Sequence, residues 1–163
     1  MAAGVPGRDG NAPAVQSASV EALYQELILD HYRKPRNKGP LPGATVSAHL
    51  SNPTCGDEVT VEAIVDGGVI RDLRFTGQGC SIAQASASMM TELAKGATIG
   101  ATRRTRGALE RLLRREPVTR DALGPLVAFE AVARYPARIG CVLMPWRALE
   151  QALGDPDAPA QSP

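Results

Sequence analysis

The residues with the most chemical capacity in this chain lie in Asn52-Pro53-Thr54-Cys55-Gly56-Asp57-Glu58, where a thiol and a carboxylate stand two positions apart. Gly56 between them lets the backbone bend until both side chains face one point. Only two other cysteines occur, Cys80 and Cys141. Three soft sulfur donors and one hard oxygen are the ligand complement of a closed four-coordinate metal site. Each cysteine has a glycine beside it (Gly56, Gly79, Gly140), where backbone can approach an ion, and each is expected in a loop or at an element end. A second account stays open: three buried cysteines acting as small hydrophobes, with Asp57 capping its own loop. No Cys-x-x-Cys pair occurs, so spacing does not decide between the two. Three thiolates and a carboxylate around a divalent ion leave a net charge of about minus two, which a low-dielectric pocket resists. Arg138, three residues before Cys141, is the candidate compensating cation.

Length and composition bound what can position these groups. A chain of 163 residues fits one domain, expected over residues 20–153, with polar tails at 1–19 and 154–163. The formal net charge is +1, so there is no global field for nucleic acid and no nucleic-acid partner is expected. No apolar run reaches the length of a membrane span, and the first twenty residues lack a continuous apolar stretch. A cytoplasmic protein is therefore expected. An odd number of widely spaced cysteines suits a reducing compartment and metal or redox use better than a disulfide framework.

From Val20 the pattern becomes helical, with Val20, Leu23, Tyr24, Leu27 and Ile28 on one face and Ser19 as candidate N-cap. Prolines and Gly39 stop that helix after a basic knob at Arg33 to Arg36. His31, in its last turn, reads as a packing or dipole-satisfying residue before a ligand. Thr45 to Leu50, Val59 to Val65 and Val69 to Thr76 read as three antiparallel strands, the last two joined at Asp66-Gly67-Gly68. Cys80 then stands at the N-terminus of a helix over Ile82 to Lys95 that is rich in small residues, where the dipole favours a thiolate. A further helix lies between Thr98 and Glu116 and carries Arg103, Arg104, Arg106, Arg111, Arg114 and Arg115, a face suited to solvent or to an acidic protein partner. Thr119 to Ala133 reads as helix interrupted at Gly124-Pro125, Pro136 as a block to helix, and Val142 to Leu153 as the last helix with Trp146 turned inward. The fold class expected is α+β: a three-stranded antiparallel sheet packed against helices.

Four motifs in order carry a family resemblance. Leu23 to Tyr32 with Pro35-Arg36-Asn37, Asn52-Pro53-x-Cys55-Gly56-Asp57, Gly79-Cys80-Ser81-Ile82 with Ala85 to Met90, and Tyr135 to Cys141 with Trp146-x-Ala148-Leu149-Glu150 resemble the SufU family, a branch of the IscU-like iron-sulfur assembly proteins. The resemblance spans Leu23 to Leu153, with Ala97 to Arg134 poorly matched. It implies a zinc ion held by Cys55, Asp57, Cys80 and Cys141, and a SufS-type cysteine desulfurase as partner. It further implies that Cys55, freed when a partner ligand replaces it, accepts persulfide sulfur for iron-sulfur cluster assembly. The alternative it carries is a scaffold assembling a [2Fe-2S] cluster on the same four residues. IscU-type scaffolds have a histidine before the third cysteine and a Leu-Pro-Pro-Val-Lys stretch; here Gly140 and Arg134 to Ile139 stand instead, which favours the sulfur acceptor.

Overall fold

A computed structural model describes residues 20–154; the Ser19 cap and the expected tails, apart from Gly154, lie outside them. Helix α1 covers residues 20–33. Strands β1 (Val46–Asn52), β2 (Asp57–Asp66) and β3 (Val69–Gln78) follow, then α2 (Ser81–Ala94), α3 (Ile99–Leu113), two 3₁₀ segments (Arg120–Ala122 and Gly124–Arg134) and α4 (Pro136–Leu153). The strands form an antiparallel meander in the order β1-β2-β3. The fold is α+β, as the sequence patterns indicated.

Alternation fixes which side of the sheet is covered. In β2 every second residue from Asp57 to Ala63 is buried, and in β3 Ile70, Leu73 and Phe75 are buried with them. Gly67 and Gly68 both have positive φ (59° and 73°), the requirement of a tight β2–β3 turn that twists with its strands. The strands are longer than their apolar alternation suggested, because Asn52↔Asp57 and Glu58↔Gln78 continue the ladders past the last hydrophobic residue. Asp57 is therefore the first residue of a strand, buried, and not a loop residue capping its own turn.

Helix α2 lies in the middle of the core, with Ala83, Ala85, Ala87, Met89 and Met90 packed beside Phe75, Trp146 and Leu149. A helix buried on nearly all sides must satisfy its polar side chains internally. Ser86 Oγ donates to the Val142 carbonyl of α4 at 2.6 Å, and Ser88 Oγ meets His31 Nδ1 at 2.7 Å and accepts from Arg36 N–H at 2.9 Å. His31 is thus a buried pin between α1 and α2. Its imidazole is held below the usual histidine range by burial and by the Arg36 guanidinium, against opposing pulls from Glu92 and Asp30.

Two expectations are corrected. Pro136 starts α4 where it was read as blocking helix: at the first helical position its missing N–H costs no bond and its fixed φ is already helical. Cys141 therefore sits inside α4 and not in a loop before it. The segment after α3 is 3₁₀ in two pieces, because Gly124 adopts φ 54° and Pro125 removes a donor where the pieces join. Pro145 lies within α4 and cannot donate to the Cys141 carbonyl four residues back.

Candidate metal centre

Three chain segments deliver the donors to one place. The β1–β2 turn is set by Asn52, whose carbonyl accepts from Gly56 N–H at 2.8 Å and whose side-chain oxygen accepts from Thr54 N–H at 3.0 Å. Gly56 takes φ 75°, a left-handed conformation costly for other residues, and so turns the chain between Cys55 and Asp57. Cys55 is exposed at the turn, with Asp57 buried beneath it at the start of β2.

The β3–α2 junction supplies Cys80. It is the N-cap of α2, and its Sγ accepts from Ala83 N–H at 3.5 Å. The Asp57 carboxylate bridges to it twice: Oδ1 accepts from Cys80 N–H at 3.0 Å, and Oδ2 lies 3.4 Å from Cys80 Sγ. This approach is possible only because residue 79 lacks a side chain. A Cβ there would lie 2.8 Å from both Cγ and Oδ1 of Asp57. Gly77 is needed for a second reason, since a Cβ on it would stand 2.2 Å from the Glu58 carbonyl oxygen across the ladder. The Gly77-Gln78-Gly79 sequence marked the strand end, but the tight fit of Gly79 on Asp57 carries no sequence signal of its own.

Helix α4 supplies Cys141, which is buried. Ligand atoms of Cys55, Asp57 and Cys141 all lie within 4.8 Å of one another. Donors at tetrahedral zinc distances stand roughly 3.5 Å apart, so a small contraction would bring these three to one ion. Cys80 is not within 4.8 Å of all three, so the expected four-residue convergence is met by three donors, with Cys80 beside them at 3.4 Å from Asp57 Oδ2. All four residues line one open depression of about 740 Å³ together with Arg138.

Among the described residues no cation forms an ion pair with this cluster. Burial pushes the Cys141 thiol up to about 12, and the neighbouring Cys80, Asp57 and Cys55 push the same way. Arg138 lines the depression but is exposed, and it makes no ion pair within 4.0 Å among the described residues. A buried carboxylate and a buried thiol facing two further thiols, without a paired cation, form a donor set that a divalent metal ion fits. His31 lies elsewhere, on Ser88.

Residues 23–142 match the family described as NifU-like N terminal domain. Over 138 residues the chain is 38% identical to the zinc-dependent sulfurtransferase SufU of Bacillus subtilis (strain 168), covering 84% of this chain and 93% of that one. It is 35% identical over 131 residues to the iron-sulfur cluster assembly scaffold protein IscU of Thermotoga maritima, covering 80% and 92%. Among solved structures, a Fervidobacterium islandicum AW-1 protein described as an iron-sulfur cluster assembly scaffold for the SUF system aligns with TM-score 0.73 and 35% identity over 79% of this chain and 95% of that one. The N-terminal part of a NifU-like protein from Brucella abortus aligns with TM-score 0.75 and 27% identity over 82% and 94%. No helix among the described residues is long and apolar enough to cross a membrane.

Proposed function

This chain belongs to the NifU-like N-terminal domain family, and from that premise we propose that it is a zinc-dependent sulfur acceptor serving iron-sulfur cluster assembly. The observation that carries the reading is the asymmetry of the donor cluster: Asp57 and Cys141 are buried, Cys80 is half-buried, and Cys55 alone is exposed. Asp57, Cys80 and Cys141 hold, while Cys55 is the sulfur a partner can reach. A zinc ion bound by Cys55, Asp57, Cys80 and Cys141 would supply the positive charge that lets crowded thiols exist as thiolates at neutral pH.

The partner is a SufS-type cysteine desulfurase presenting a cysteine persulfide. Cys55 thiolate attacks the outer sulfur of that persulfide. A bond forms between Cys55 Sγ and the transferred sulfur as the donor's S–S bond breaks, and the donor cysteine leaves as a thiolate. No net oxidation occurs, so neither partner needs a redox cofactor for this step. Arg138, at the rim of the depression, offers its charge to the incoming persulfide anion.

The test is addition of the chain to a SufS-type desulfurase with cysteine as substrate. The expected results are about one zinc per chain, stimulated turnover, and persulfide on Cys55 by mass spectrometry. Stimulation that survives Cys55→Ala overturns the assignment. A second reading, a [2Fe-2S] scaffold on the same residues, has the likeness to the Thermotoga protein in its favour. Anaerobic reconstitution separates the two, since a scaffold forms a stoichiometric chromophore and passes it to an apo-acceptor.

A further inference from the structure

Helix α3 takes no part in the donor depression, and its outward face breaks several local rules at once. Six of the chain's 18 Lys and Arg fall between Arg103 and Arg115, against one of its 17 Asp and Glu, which leaves 12 cations and 16 anions elsewhere. Two of the six are neutralised internally. Arg103 Nε donates to Glu150 at 2.8 Å, and Arg106 meets Glu110 at 3.7 Å. Arg104, Arg111, Arg114 and Arg115 are exposed and make no ion pair among the described residues. At 100° per residue, Arg104 and Arg111 lie within roughly 20° of each other around α3, and Arg104 to Arg114 spans roughly 15 Å.

The dipole explains only part of this. Cations near the C-terminus of α3 complement its partial negative charge, but Arg104, the sixth of fifteen helical residues, lies beyond the reach of that end. Gly107, half-buried in the helix interior, lies between Arg104 and Arg111 on the same side of α3, where a Cβ would meet nothing within 4 Å and its flexibility destabilises the helix. Arg115 follows the helix at φ 60°, where glycine is the unstrained choice. Two local costs beside an unpaired run of arginines, with no internal compensation, are expected where a surface is kept for contact.

We propose that this face of α3 docks an acidic protein surface, with Arg104, Arg111 and Arg114 pairing carboxylates and Gly107 letting the partner approach closely. Arginine forks suit paired carboxylate contacts. A nucleic acid fits less well, because the basic track is short and the rest of the chain is net negative, which repels a polyanion longer than the track. A membrane surface fits less well because none of the exposed large hydrophobics, Val20, Leu23, Tyr32 and Tyr135, lies on α3. The surface is separate from the donor depression, so it can be occupied while Cys55 is engaged.

The test is nitrogen-15 NMR of the full, metal-loaded chain titrated in turn with poly-L-glutamate, a single-stranded DNA oligonucleotide and phosphatidylserine vesicles. Poly-L-glutamate is expected to shift the amides of Arg104, Gly107, Arg111 and Arg114 saturably. Binding should weaken at least about tenfold in the Arg104→Glu/Arg111→Glu/Arg114→Glu variant, whose exposed positions leave the fold and metal content intact. The triple lysine variant at these positions should keep part of the affinity. Shifts elsewhere, no loss on charge reversal, or tighter binding of the oligonucleotide or the vesicles at this face each overturn the proposal.

Discussion

Placing a methyl group at residue 79 tests the donor cluster without removing any donor. In Gly79→Ala the added Cβ would lie 2.8 Å from Asp57 Cγ, whereas ordinary contact begins at 3.4 Å, so the carboxylate must retreat by about 0.6 Å. Metal–ligand distances tolerate only about 0.2 Å. The carboxylate has little room to turn, because its Cβ would also be 3.1 Å from the methyl and its Oδ1 is tied to Cys80 N–H. Zinc affinity is therefore expected to fall about 10- to 100-fold, the range seen when groups that orient metal ligands are lost, or about 1.4–2.7 kcal/mol. Competition against a chromogenic chelator measures it. Gly140→Ala is the control: a Cβ there meets nothing within 4 Å although Cys141 is the next residue, and affinity should not change. Wild-type affinity in Gly79→Ala, or equal loss in both variants, refutes the placement of Asp57 in the coordination sphere.

Alanine at Gly107, half-buried in the α3 interior, should stabilise the chain by about 0.5–1 kcal/mol in urea unfolding, since it removes backbone freedom without a clash. Arg115→Gly should also stabilise, by about 1 kcal/mol, because Arg115 holds φ 60°. Because burial lowers the His31 titration, the folded state favours neutral imidazole; the stability it confers is complete above pH 6.5 and is lost as pH falls through the folded value. The slope there should reach at most about 1.4 kcal/mol per pH unit, and His31→Gln should flatten it. In chelator-treated protein at pH 8, iodoacetamide should label exposed Cys55 while Cys141, a thiol up to about 12, stays unmodified.

The sheet was legible because period-two burial and the glycine pair at Gly67-Gly68 are local signals. The donor residues were legible as types, but the elements that carry Asp57 and Cys141, a strand start and a helix interior, were not. Cys141 reaches the others only because Pro136 opens α4 five residues earlier, a positional use of proline that reads equally well as a stop. Likewise Gly124–Arg134, which packs against α3 and α4, is 3₁₀ where the apolar pattern read as α-helix. Arg138 was legible as a neighbour of the site from its place three residues before Cys141, and it lines the same depression.

Pro145 leaves the Cys141 carbonyl without its helical donor, while Ser86 clamps the next carbonyl, Val142, to α2. The turn bearing the third thiol is thus fastened to the remainder of its helix by one rung fewer, just ahead of a fixed anchor. Backbone bending at that turn meets less resistance than elsewhere in α4, while the Val142 carbonyl keeps the helix seated on α2.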